Sequence, residues 1–316
     1  MITELWNDYR ISKRIDELPL ELDDPYVVIY KQIHAVVDDD GHQIELLERS
    51  SCYGGSAWAR YHYSKGPLII SSRALGDWFR YIVSPGKADL DLISSRRSAG
   101  IESVLVNEKE VEITYAGLGG GGVGATLSRA KAEDVLRYTV TECGGGRIAR
   151  GTIVVPRRER LIIGVDDTDS KTVGATWSLI HNIASKVDRP EARYISHSLV
   201  QLFPVPTKTQ NCVATVVEFA CLPDKGEVML ADFKALLRKY SVSQQTGMAV
   251  FRDFEASSLM PFAERCRRER VQYEDALEAA REAGVQILMN GQGLIGAVAA
   301  IPFSARPDES IVPGME

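Results

Sequence analysis

Several signals that would settle a function class are scarce in this chain of 316 residues. The five cysteines, Cys52, Cys143, Cys212, Cys221 and Cys266, are scattered. No Cys-x-x-Cys pair or histidine stands at ligand spacing, which argues against a structural zinc site. The odd count and the polar, acidic start Met1-Ile-Thr-Glu-Leu-Trp-Asn-Asp8 favour reduced thiols in a cytoplasm over a secreted disulfide scaffold. No apolar run is long and uncharged enough to span a bilayer, so no membrane partner is expected. Positive charge is also short, with a formal net charge of −6, which does not suggest a dedicated nucleic-acid coat. The dense basic clusters, Arg157-Arg158-Glu-Arg160 and Arg265-Cys-Arg-Arg-Glu-Arg270, read first as solvated faces. What is present, 45% hydrophobic and 25% charged residues, is the balance of a globular protein with room for two domains.

The most informative stretch is Arg160-Leu-Ile-Ile-Gly-Val-Asp-Asp-Thr-Asp-Ser170. Leu161 to Val165 reads as a buried strand that runs straight into Asp166, Asp167 and Asp169. Beyond Lys171-Thr-Val-Gly-Ala-Thr176, the residues Trp177, Ile180, Ile183, Ala184 and Val187 recur at helical spacing. Carboxylates at the end of a central strand stand where open α/β sheets bind ligands. Three neighbouring acids repel one another unless a cation lies between them, and Mg²⁺ commonly arrives with phosphate. A plainer reading is a loop in which Asp169 or Ser170 caps the next helix. A phosphatase-type acidic loop is disfavoured by Lys171.

In chain order, an amphipathic helix is expected over residues 1–20. Tyr26–Val37 and His42–Leu47 flank an Asp-Gly turn as a hairpin. Cys52–Tyr63 reads as a turn and an aromatic strand, Leu68–Ile70 as a strand, and Ala74–Val83 as a helix. Val104–Val106 and Val111–Tyr115 suggest a second hairpin. The run Ala116-Gly-Leu-Gly-Gly-Gly-Gly-Val-Gly-Ala-Thr126 contains Gly117-x-Gly119-x-x-Gly122, with Glu142 downstream. So many glycines fit either a phosphate-contacting loop or a plain connection. A helix is expected over Ser128–Leu136 and a strand over Ile148–Val155. Val123-Gly-Ala-Thr-Leu-Ser128 nearly repeats Val173-Gly-Ala-Thr-Trp-Ser178, by duplication or by chance. The second half alternates strands (Tyr194–Phe203, Val213–Ala220, Met248–Phe251, Val285–Met289) with helices (Glu227–Tyr240, Pro261–Ala283, and one after Gly293). The fold class expected is α/β, or mixed α+β. Two domains, 1–158 and 159–316, would each be a mixed sheet with packed helices.

Three stretches of the second half resemble one family, in the same order. Gly164-Val-Asp-Asp-Thr-Asp-Ser170 with Thr176 is similar to the Gly-Ile-Asp-Asp-Thr-Asp-Ser segment and following Thr of the archaeal tRNA(Ile) agmatinylcytidine synthetases. Phe203-Pro-Val-Pro-Thr-Lys-Thr-Gln-Asn211 resembles their Lys-Thr-Arg-Gly-Asn loop, without its Arg and Gly. Gly293-Leu-Ile-Gly-Ala-Val-Ala-Ala-Ile301 resembles a third segment. Size and layout resemble the methanogenesis marker protein 11 family more closely. The resemblance implies an ATP-dependent, kinase-like domain over 159–316, in which the residue matching Thr176 accepts a phosphoryl group. No zinc ribbon is recognised and little chain follows the shared stretch. Agmatine transfer to tRNA is therefore not the leading expectation.

The expected site places Asp166, Asp167 and Asp169 on Mg²⁺, with Asp166, Asp167, Lys208 and Thr176 as catalytic groups. Thr168, Ser170, Asn211, Gly291 and Gly293 would contact ATP, and Gly296 would let backbone approach the ligand. The leading function is an ATP- and Mg-dependent phosphotransferase or activating enzyme linked to methanogenesis. Its acceptor, whether RNA, a small molecule or a methanogenesis protein, is not named by the sequence, and a homodimer is kept among the assemblies. The alternatives are a non-catalytic nucleotide-binding assembly factor and a tRNA- or RNA-modifying enzyme. An oxidoreductase built on Gly117–Gly122 is the third class.

Overall fold

The computed structural model describes residues 21–254, 256–304 and 306–311. The helix expected over 1–20 lies outside them. The first half contains β1 (Gln32–Val37), β2 (Ile44–Arg49), α1 (Tyr53–Tyr63), β3 (Ile69–Leu75), β4 (Trp78–Val83), β5 (Gly86–Lys87), β6 (Ala99–Val106) and β7 (Glu110–Leu118). Short helices α2 (Gly120–Ala125) and α3 (Leu127–Ala130) lead to β8 (Arg137–Val140) and the long β9 (Ile148–Asp166). The second half adds α4 (Thr176–Val187), β10 (Ala192–Gln201), β11 (Val213–Cys221), α5 (Gly226–Tyr240) and β12 (Gly247–Phe251). It closes with α6 (Met260–Arg268), α7 (Tyr273–Glu282), β13 (Gln286–Asn290), α8 (Leu294–Ala300) and α9 (Pro307–Ile311). The expected mixed α/β class is what is found. No described helix is long and apolar enough to cross a membrane.

The 19-residue β9 organises the 13-stranded sheet. Its first part pairs with β7 from Ile148 to Pro156, with β8 from Gly151 to Val154, and in parallel with β1 at Arg157 and Arg158. From Glu159 onward its neighbours are β11 and β12. Position 158, where the sequence suggests a division, is therefore where β9 exchanges one set of partners for the other. Pro156, which has no N–H to give, pairs with Glu110 on one side and falls between the β8 and β1 registers on the other. A buried ionic cluster joins the halves beside this point. Arg80 on β4 meets Glu45 on β2 at 2.9 Å and Glu218 on β11 at 2.5 Å, and Arg160 on β9 pairs with both carboxylates.

Side chains alternate across β9, so the two faces of its second half enter different cores. Leu161, Ile163 and Val165 pack with α4 and α5 residues such as Ile180 and Phe233. Ile162 faces α6, α7 and α8 through Phe262, Ala276 and Ala297. On that second face Gly164 lies under α8. A β-carbon there would stand 2.8 Å from the Ala297 carbonyl carbon, so glycine is what lets helix backbone rest on strand backbone.

Both expected hairpins form, as β1–β2 and β6–β7. Four expectations need correction. Residues 53–63 are helical, not extended, because Ser56, Ala59, His62 and Tyr63 form a buried stripe at helical spacing. Residues 78–83 are a strand, not a helix, hydrogen-bonded to β2 and β3 on either side. The helix after Ser128 stops at Ala130, and Asp134 takes a positive φ of 75°. The single helix expected over 261–283 is two, because Gln272 starts a new helix with a reciprocal capping box to Asp275.

Candidate functional site

The end of β9 delivers Asp166 beside β12, with which Gly247 pairs it. The chain then turns sharply. Asp167 adopts φ 55°, an uncommon conformation outside glycine, and its N–H donates to Asp166 Oδ1 at 2.8 Å. Its carbonyl accepts from Thr246 Oγ1 at 3.0 Å. Thr168 is buried, and both its N–H and its hydroxyl donate to Thr176 Oγ1, at 3.2 and 3.1 Å. Ser170 closes a turn, accepting from Val173 N–H at 3.1 Å. These bonds tie the acidic loop to the start of α4 and to Thr246 before β12.

Asp166, Asp167, Lys208, Cys212, Arg270 and Gly296 line a single cavity of about 660 Å³. Lys208 and Arg270 are exposed on its wall, and neither forms an ion pair among the described residues. Burial pushes Asp166 well above the ordinary carboxylate range, and the charges of Asp167 and Asp169 add to this. Asp167 is pushed up to about 6, by burial first and then by Asp169. Neither carboxylate forms an ion pair among the described residues. Asp169 is buried next to them, and its Oδ1 has no hydrogen-bond partner.

The start of α8 presses on these acids. Gly293 N–H donates to the Gln245 carbonyl at 2.8 Å. A β-carbon on Gly293 would reach the Asp166 carbonyl oxygen at 2.6 Å and Asp167 Cβ at 2.8 Å. A β-carbon on Gly296 would stand 2.8 Å from Asp166 Cγ. Gly291 fits against the backbone of Gln245 in the same way, with its own N–H bonded to the Thr246 carbonyl at 3.1 Å.

Of the residues singled out in the sequence, Asp166, Asp167 and Lys208 thus share one cavity. Asp169, Thr168, Thr176, Ser170, Gly291 and Gly293 stand behind or beside it and are not among its lining residues. Asn211 is exposed outside the lining, where its carbonyl accepts from Gln201 at 3.1 Å. Gln210, which stands where the resembling loop has Arg, donates to the Ser170 carbonyl at 3.1 Å and to that of Gly174 at 2.8 Å. It ties the lysine loop to the acidic loop. Sequence reading passed over Arg270, Tyr273 and Cys212. Arg270 belongs to the basic cluster read as a solvated face, and it reaches the cavity because the chain breaks between α6 and α7.

The family model of the TiaS TCKD domain matches residues 162–229. The tRNA(Ile2) 2-agmatinylcytidine synthetase TiaS of Pyrococcus horikoshii is 30% identical over 157 residues, 45% of this chain and 35% of the synthetase. The chain therefore spans about a third of that enzyme's length. The crystal structure of the TiaS–tRNA(Ile2)–ATP complex aligns with a TM-score of 0.41 at 26% identity, over 45% of this chain and 36% of that one. MJ0921, an uncharacterized protein of Methanocaldococcus jannaschii, is 41% identical over 281 residues, covering 87% of this chain and 93% of its own length. The chain belongs to the family of MJ0921, and within it residues 162–229 resemble the TCKD domain of TiaS.

Proposed function

We propose that this protein is an ATP-using enzyme that modifies RNA, with its nucleotide site in the cavity of Asp166, Asp167, Lys208 and Arg270. The observation that carries the reading is the pairing, in one cavity, of two unneutralised carboxylates with two cations that have no ion-pair partner among the described residues. A triphosphate with a divalent cation satisfies both at once. The likeness of residues 162–229 to the TiaS domain supports ATP as the nucleotide and RNA as the acceptor class. The link to methanogenesis rests on the resemblance to the marker protein 11 family, and the RNA-directed reading has the broader support.

The donor set fits Mg²⁺. Among the described residues no group of three or more His, Cys, Asp or Glu converges as a closed metal cage. Mg²⁺ is commonly held by one or two carboxylates and completes its shell with phosphate oxygens and water. Asp166 and Asp167 would hold it, with Asp169 adding charge from behind. Bound there, the ion would neutralise phosphate charge as the transfer proceeds. Lys208 and Arg270, which line the same cavity, would hold the phosphate oxygens. Gln210 ties the lysine loop to the acidic loop, and the Thr168–Thr176 pair fixes the acidic loop against the start of α4. Phosphoryl and nucleotidyl chemistry depends on such positioning more than on covalent help from the protein. In this arrangement Thr176 is a positioning residue.

The test is calorimetric titration of the full chain with ATP and Mg²⁺. Asp166→Asn and Asp167→Asn should abolish Mg²⁺-dependent binding and leave the unfolding midpoint within a few degrees. Unchanged titrations in both variants would overturn the site. Release of ADP, AMP or pyrophosphate, stimulated by RNA, tests turnover. The second reading, a nucleotide-binding factor without turnover, is favoured by Gln210 standing in place of Arg, and binding with no product release would select it.

A further inference from the structure

A second cavity, of about 860 Å³, lies in the first half of the chain between α1, the Gly-rich turn into α2 and the loop before β6. Its volume is that of a small-molecule pocket. It is built around glycines, aromatic rings and buried serines, and its chemistry differs from that of the acidic site.

Charge is the first discriminator. Among the described residues Arg129 is the only charged residue of the lining, and Glu48, Gly124 and Tyr30 accept four of its five N–H groups. The Glu48 carboxylate accepts from it at 2.9 and 2.7 Å and the Gly124 carbonyl at 2.6 Å. The rings of Tyr30, Tyr63 and Tyr115 surround the guanidinium at 4.4, 4.9 and 4.6 Å. An anion entering here would shed water and meet no free cation, which is costly. The phosphates of a dinucleotide, the ligand suggested by the Gly117–Gly122 pattern, are therefore poorly served.

Polarity is the second. Ser50, Ser98 and Ser128 are buried in the lining at 1%, 5% and 4% exposure. Ser50 and Ser98 each accept one backbone N–H, from Cys52 and Ser95, and keep an O–H to donate. Ser128 lines the cavity, and its hydroxyl has no hydrogen-bond partner among the described residues. A purely apolar occupant would leave these hydroxyls unpaired, at a cost for each. Trp58, partly exposed, adds an indole ring.

Glycine usage is the third. Gly120 and Gly146 line the cavity, have no positive φ, and a β-carbon on either would meet nothing within 4 Å. Neither backbone strain nor internal packing requires glycine there. Both are exposed at the edge of the cavity, where a β-carbon would meet open space.

We propose that this cavity binds a neutral, planar nitrogen heterocycle of the nucleobase type, stacked on aromatic rings and hydrogen-bonded through Ser128. Base–aromatic stacking of this kind tolerates any base and needs no charge. The base could come from a free nucleoside or from an unpaired position of an RNA strand. The site is separate from the acidic loop and does not rest on the function proposed for it.

The experiment is saturation-transfer NMR on the full chain in EDTA, with the four ribonucleosides, their 5′-monophosphates and a short single-stranded RNA in separate arms. Transfer to at least one nucleoside, or to bases of the strand, is the expected result, and the responding arm names the source. Gly120→Leu should remove the signal while near-UV circular dichroism and Mg²⁺–ATP titration stay unchanged. Ser128→Ala, which perturbs the fold less, should weaken binding about fivefold to tenfold. Silence from both the nucleosides and the strand, response from the monophosphates alone, or equal binding by Ser128→Ala would overturn the proposal.

Discussion

Gly296→Ala is the smallest change that can move Asp166 without altering its charge. A β-carbon at 296 would stand 2.8 Å from Asp166 Cγ and 3.0 Å from its Cβ. Carbon atoms in contact settle at roughly 3.5–4.0 Å, so the carboxylate must retreat by about 1 Å. Overpacking of this kind costs about 1–3 kcal/mol, whereas alanine in place of glycine within a helix returns about 1 kcal/mol. The net loss of stability should therefore be within about 2 kcal/mol. The functional effect should be larger, because a displacement near 1 Å at reacting groups can cost on the order of 100-fold. Urea denaturation gives the stability, and calorimetry of Mg²⁺–ATP binding gives the affinity. A weakening of tenfold or more, with the unfolding transition still cooperative, is expected. Affinity within twofold of wild type would mean that Asp166 does not touch the nucleotide assembly, and the proposed site would fall.

Two further perturbations separate the site from the scaffold. Gly164→Ala directs a β-carbon at helix backbone, 2.8 Å from Ala297 C and 3.3 Å from its Cα, where nothing can rotate away. It should destabilise the protein by about 3 kcal/mol, the upper end for overpacking, and a urea midpoint unchanged from wild type would refute the contact. Glu218 tests the joint between the halves. Burial alone would raise its pKa, but Arg80 and Arg160 outweigh burial and bring it to about 2. A carboxyl depressed in the folded state contributes stability above its unfolded pKa near 4.5, and that contribution is lost as pH falls from 4.5 toward 2. Its size is on the order of 3 kcal/mol. Glu218→Gln should be less stable at pH 7 and should lose less on acidification, whereas an acid-unfolding curve parallel to wild type would contradict the pairing.

The acidic site was legible in the residues because its pieces are local. An apolar run ending in acids, a turn and a helical stripe are each written within a few residues, and strand β9, the acidic loop and α4 follow them closely. The Lys208 loop read by itself only as a polar loop held open by prolines, and its part in the site came from the family resemblance. Arg270 was not legible, because its place depends on a chain break set by the Gln272–Asp275 capping box and on how α6 and α7 pack afterwards. Burial in turn changed the reading of 53–63 and 78–83. In the first, a stripe facing the core overrode β-prone aromatics. In the second, Trp78 to Val83 became a strand because β2 and β3 already offered hydrogen bonds on both sides.

The sequence by itself determined the mixed α/β class, the order of the second-half elements and the position of the acids at a strand end, since hydrophobic period and turn chemistry act over a few residues. Only the tertiary structure decided which acids share a cavity with Lys208 and Arg270, and that β9 belongs to both halves. It also showed that the glycine-rich run borders a neutral aromatic pocket. Those outcomes depend on which distant surfaces exclude water together, and no short window of residues contains that information.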